Sequence, residues 1–264
     1  AELLINVGDI QDTISFCGSI INLEKDVMKL GNVQIEYVRY ENSKDRSVVL
    51  LPPAGADIFH MYCIVPFLIQ EGIQIIGINW RGVGQSKGEL QNLSLHHMAA
   101  DVISLINALG IESVDLIGNA LGNRVARCMA KDTSGLVNTI TLLAAGGNIE
   151  PAPDIKDAMY AFFNIENTDI EGKIELIRKL FLSHSSMAVD KCALGKLIMH
   201  YTNLQPDVTL AHHKAGDTPA SEWSSAGDVP MLVIQGLDDK IAPPENGELL
   251  KRKYTDRVTL VNLP

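Results

Sequence analysis

Aromatic side chains are scarce in this 264-residue chain, at 5%, and no uncharged apolar run approaches the roughly 18–20 residues needed to span a bilayer. A membrane-embedded protein is therefore not expected. Basic residues are also in deficit, 22 against 32 acidic ones, for a net charge of −10. That balance argues against a nucleic-acid binder and against a partner of anionic membranes. The four cysteines, Cys17, Cys63, Cys128 and Cys192, show no C-x-x-C spacing. Neither a zinc ribbon nor a disulfide framework is expected, and free thiols in a reducing, cytoplasmic setting fit better. No low-complexity tract, heptad array or fixed-period repeat is present. The chain begins at Ala1 with no basic-then-apolar leader, as a processed or trimmed product would.

What remains is 46% hydrophobic residues, enough to bury a large core, punctuated as alternating strands and helices. Ser47–Leu51 is a short apolar run stopped by Pro52-Pro53, and Ile73–Asn79 is another, closed by a glycine-rich turn up to Gly88. Apolar residues at three- and four-residue intervals predict a helix over Ser94–Leu109, which Gly110 ends. Further strands are expected at Val114–Ile117, Val137–Ala144, Pro230–Gln235 and Val258–Leu263, with helices at Leu121–Ala130 and Glu245–Tyr254. Such alternation implies an α/β fold: a mostly parallel sheet covered by helices on both faces. The first thirty residues are expected to add antiparallel strands. Residues 1–150 then form the N-terminal part of the core and 228–264 its C-terminal part. Residues 151–227 break the alternation, with helical patches at 154–163 and 172–182, and read as a helical cap insertion over the site.

The segment Gly118-Asn119-Ala120-Leu121-Gly122 joins a strand to a helix through a sharp turn flanked by glycines two residues to either side. That spacing is a nucleophile elbow, whose central residue is usually Ser, Cys or Asp. Here the centre is Ala120, whose methyl group can neither attack a carbonyl nor be activated by a base.

Three further segments agree in order with this one. They are Leu50-Leu-Pro-Pro-Ala-Gly55, Asn79-Trp-Arg-Gly-Val-Gly-Gln-Ser86 and Gln235-Gly-Leu-Asp-Asp-Lys-Ile-Ala-Pro243. Together they resemble the α/β-hydrolase superfamily over about residues 31–264, and in particular a bacterial subgroup with Ala at the elbow. The resemblance implies backbone oxyanion-hole amides at Leu121 and Ala54, and a triad acid at Asp239, with Asp238 the second choice. It also implies a base histidine after the last strand. All seven histidines precede Asp239, so the base His is not present in the chain. No metal and no organic cofactor is implied, and the partner is a small-molecule ligand or substrate. Two readings of Ala120 stand: a native residue, of a hydrolase-related protein that acts through another group on a small ester-like, amide-like or apolar molecule or of a pseudo-hydrolase that only binds one, or a replacement for Ser in an inactive variant of a serine esterase.

Other candidates have plainer roles. Asn119 and Asn123 could touch a ligand or serve the start of the helix. His96 and His97 are adjacent, so they diverge on a helix and cannot share a metal as an i, i+4 pair would. His212 and His213 read as solvated polar residues of the insertion, and Arg81 as the brace of its own turn. Gly82–Gly88 has neither the spacing of a dinucleotide fingerprint nor the Gly-Lys-Ser/Thr ending of a P-loop.

Overall fold

Apolar runs too short for helices become the strands β5 (Ser47–Leu51), β6 (Gln74–Ile78), β7 (Val114–Asn119), β8 (Val137–Leu143), β9 (Met231–Gly236) and β10 (Val258–Leu263). A computed structural model describes residues 14–16, 19–21, 23–42, 46–164, 169–182 and 204–264. Ahead of these strands lie β1 (Ile14–Phe16), β2 (Ser19–Ile21), β3 (Lys25–Leu30) and β4 (Val33–Tyr40). β1 and β2 form a separate antiparallel pair. The others make one sheet in the order β10-β9-β8-β7-β5-β6-β4-β3. The β3–β4 and β4–β6 pairs are antiparallel and the rest are parallel. β5 and β6 are buried along all but their first residue, as strands covered on both faces must be.

The helices are α1 (Val65–Gln70), α2 (Leu95–Ala108), α3 (Leu121–Asp132), α4 (Pro153–Asn164), α5 (Ile170–Phe181), α6 (Pro206–Ala215), α7 (Ala220–Trp223) and α8 (Glu245–Lys253). A 3-10 turn, Ile58–Ile64, leads into α1. α2 starts where the Ser94 hydroxyl accepts the His97 N–H and stops before Gly110, whose φ of +70° suits glycine. The main core runs through the sheet, α2 and α3, and includes Val208, Ala215, Trp223 and Ala226 from beyond residue 204. α4 and α5 instead share a small cluster of their own around Ile155, Phe162 and Ile177. Between β8 and β9 the described residues contain helices and no strand.

Strand order determines where a site can form. The chain leaves β5 toward β6 on one side, then returns to place β7 on the other side of β5. The loops that follow β5 and β7 thus diverge from neighbouring strands, opening a crevice at their C-terminal ends.

Candidate functional site

A single residue, Ala120, separates the end of β7 from the first turn of α3. Its φ of 49° and ψ of −109° lie outside the regions open to ordinary L-residues. The glycines on either side are steric necessities. A Cβ on Gly118 would lie 2.5 Å from the carbonyl of Gly122, and one on Gly122 would lie 2.0 Å from the Leu51 oxygen. All of these obstacles are backbone, which cannot swing aside. Ala120 itself is exposed.

Asn123 anchors the turn from beneath. Its amide donates to the Ala144 carbonyl at 3.1 Å, and its Oδ1 accepts from Arg127 at 2.8 Å. Wholly buried, its side chain is committed to the start of the helix. Arg127 is equally buried, donates also to the Gly146 carbonyl and lies over the Trp223 ring at 4.3 Å. Burial holds its guanidinium down to about 9.

The loop after β5 carries Ala54, and β5 lies directly beside β7, from which Leu121 follows. The Leu121 N–H belongs to the first turn of α3, where no helical carbonyl can satisfy it. Trp80 fixes the loop by donating its indole N–H to the Pro52 carbonyl at 2.9 Å. The next N–H along, that of Gly55, is committed to His212 Nδ1 at 2.9 Å.

His212 corrects the sequence reading. It is fully buried on α6 and not a solvated polar residue. Because Nδ1 accepts from Gly55, Nε2 carries the proton and donates to the Arg81 carbonyl at 2.8 Å. The neutral ring is thereby stitched to both loops, and burial holds its pKa down to about 4. α6 fits so closely because Gly55 and Gly82, both at positive φ, have no side chain. A Cβ on Gly55 would lie 2.2 Å from the Thr209 hydroxyl, and one on Gly82 would lie 2.8 Å from Val208. Arg81, as expected, braces its turn through two bonds to Asp101 at 2.6 and 2.7 Å. Within the same turn Asn79 bonds Glu36 and accepts the Ile58 N–H, while Ser86 bridges the Glu36 N–H and the Asn79 carbonyl.

Asp239 stands in the loop after β9, two strands from the elbow. Its Oδ1 accepts the N–H groups of Ile241 and Ala242 at 3.0 and 2.7 Å. Burial raises its carboxyl above the usual range, and these two bonds only partly offset the rise. Asp238 is exposed. Among the described residues no histidine hydrogen-bonds Asp239; His184 and His200 lie outside them. Asn246, which the sequence reading passed over, ties the neighbouring loop by accepting from Asn148 and Ile149 and donating to the Ile149 carbonyl.

The sequence profile of the alpha/beta hydrolase fold family matches residues 47–171, spanning β5, the elbow and β8. An enol-lactonase from Burkholderia xenovorans LB400 superposes with a TM-score of 0.76 at 15% identity, covering 90% of this chain and 91% of that one. This chain has the α/β-hydrolase fold. Two curated relatives are similar in sequence as well. An AB hydrolase superfamily protein of Bacillus subtilis is 27% identical over 207 residues, covering 74% of this chain and 75% of that protein. A non-heme haloperoxidase of Rhodococcus erythropolis is 25% identical over 210 residues, covering 68% and 70%. Within this α/β-hydrolase fold the elbow, the loop after β5 and the loop after β9 all open at the C-terminal ends of parallel strands. No helix among the described residues is long and apolar enough to cross a membrane.

Proposed function

We propose that this chain binds a small ester-like, amide-like or apolar molecule at the crevice between β5 and β7, under a cap formed by residues 151–227, without forming an acyl-enzyme. One observation carries the reading: Ala120 occupies a strained elbow, between two glycines that only that turn requires, yet offers no nucleophile. The binding surface survives while the covalent step has no atom to perform it. In this reading the Leu121 and Ala54 N–H groups hold the polar oxygen of the ligand. Asp239 is retained at the position of the triad acid.

The retained amides and carboxylate also support a second reading, in which Ala120 stands for Ser in a serine esterase. A Ser there would attack the carbonyl, a base histidine, which none of the described residues places against Asp239, would take its proton, and the Leu121 and Ala54 amides would stabilise the oxyanion. One experiment separates the two. The chain and its Ala120→Ser variant are treated with a fluorophosphonate probe, and melting temperature and p-nitrophenolate release are followed with a short-chain p-nitrophenyl ester. The first reading expects saturable stabilisation of the chain by the ester, no turnover and no labelling of either protein. Labelling of Ala120→Ser alone favours the second reading. Labelling of the unmodified chain at the crevice overturns the first.

A further inference from the structure

Away from the crevice, four side chains of different chemistry converge where α2, α3 and α7 meet. Cys128 and Asp132 are one turn apart on α3 and so share a face. His96, second residue of α2, turns its ring toward them. Its Nδ1 lies 2.6 Å from Asp132 Oδ2 and 3.4 Å from Cys128 Sγ, and the thiol lies 3.5 Å from the same carboxylate oxygen. The opposite ring nitrogen, Nε2, lies 2.9 Å from Glu222 on α7.

We infer that His96 Nδ1, Cys128 Sγ and a carboxylate oxygen of Asp132 form a site for a zinc-class divalent transition metal, with Glu222 as the group that orients the histidine. The spacing is already close to what a metal needs. Tetrahedral coordination at ordinary zinc distances separates a sulfur from a nitrogen or oxygen ligand by about 3.5 Å, and nitrogen from oxygen by about 3.3 Å. Both sulfur distances match, so only the His96–Asp132 pair has to open, by roughly 0.7 Å. A thiolate, an imidazole and one carboxylate suit zinc or cobalt better than magnesium or calcium, which take oxygen ligands. The Glu222 contact supplies what metal-binding histidines generally have, a carboxylate on the far nitrogen that fixes tautomer and ring orientation. Cys128 is fully buried, while the His96 and Asp132 side chains are 38% and 31% exposed. That leaves a route for the ion and a solvent-facing position for water as fourth ligand.

Proton balance makes the binding pH-dependent. The ligand forms are the thiolate and an imidazole nitrogen without its proton, so any proton on either atom leaves to solvent as the metal binds. Cys128 lies eight residues beyond the elbow, about 12 Å along α3, so the ion would pin α2 to α3, with α7 held through Glu222, rather than take part at the crevice.

The test is cobalt(II) titration of the chelator-treated chain. One cobalt per chain is expected, with a thiolate-to-cobalt charge-transfer band in the near ultraviolet and the intense visible bands of a four-coordinate centre. Zinc should erase both, and affinity should rise with pH. Cys128→Ser should lose the charge-transfer band, His96→Gln should lose tight binding, and Glu222→Gln should weaken binding about 10–100-fold with the spectrum kept. Circular dichroism and the metal-free melting temperature identify variants that fail to fold, and Cys128→Ala then replaces Cys128→Ser. Absence of the charge-transfer band from the folded chain at millimolar cobalt overturns the inference. So does a band unchanged in both cysteine variants. In either case His96 serves only as a cation between two carboxylates.

Discussion

Ala120 keeps a backbone conformation that costs an L-residue about 1–3 kcal/mol. A catalytic serine at an elbow repays such strain by projecting its hydroxyl from the turn; a methyl group gains nothing comparable. Removing the Cβ should therefore help. Ala120→Gly relieves the strain but makes the unfolded chain more flexible, which returns about 0.4–1 kcal/mol. A net stabilisation of about 1 kcal/mol is expected, seen as a higher urea midpoint at unchanged slope. Destabilisation instead would mean that the Cβ makes contacts worth more than the strain. The glycine pattern made this residue legible, because each missing Cβ answers a backbone obstacle, four residues on for Gly118 and on β5 for Gly122. His212 was not legible in the same way. Nothing in the local sequence distinguishes it from His213 beside it, and its burial arises from contacts with Gly55 and Arg81, more than 130 residues earlier.

Elements announced by uninterrupted apolar runs or by a three-and-four rhythm came out within a residue or two of their expected limits, as for β5, α2 and β10. The short ones did not stand out. The 3-10 turn at Ile58–Ile64, with α1 and α7, has too few turns to display a period and takes its order from packing. α6 depends on one interaction more than its length suggests, and pH exposes it. Below the ordinary imidazole pKa the unfolded chain takes up a proton at His212 that the folded chain refuses until about pH 4. The contribution of this residue should be flat above about pH 6.5, then fall between 6.5 and 4 by up to about 1.4 kcal/mol per pH unit. His60, also held at about 4 by burial, adds to the same window. The raised carboxyls of Asp57, Asp101 and Asp239 act in the opposite sense at its acid end, because the folded chain takes up their protons more readily. His212→Gln should flatten part of this decline in urea titrations at stepped pH. It should also cost about 1–3 kcal/mol at pH 8, where the Gly55 N–H or the Arg81 carbonyl loses its partner. An undiminished slope would assign the effect elsewhere.

For the molecule as a whole, the architecture was legible because strand and helix patterns alternate and four turn motifs fall in a consistent order. The helices between β8 and β9 were less legible as a group, since α4 and α5 organise around a cluster of their own while α6 and α7 join the main core, and an amphipathic pattern does not say which surface a helix covers. The charge balance bears on partners at this scale. With a net charge of −10, the chain should show no retardation with duplex DNA and no sedimentation with anionic vesicles, even at low ionic strength where attraction would be strongest. Salt-sensitive retention of either kind would reveal a local basic surface that overrides the total. The elbow also has a consequence for descent. Every alanine codon becomes a serine codon by one change in its first base, and the turn, the flanking glycines and the amides of α3 are already in place. A hydroxyl would therefore arrive in a conformation it did not have to create. The distance between this chain and a nucleophile-bearing relative, at this position, is a single point mutation.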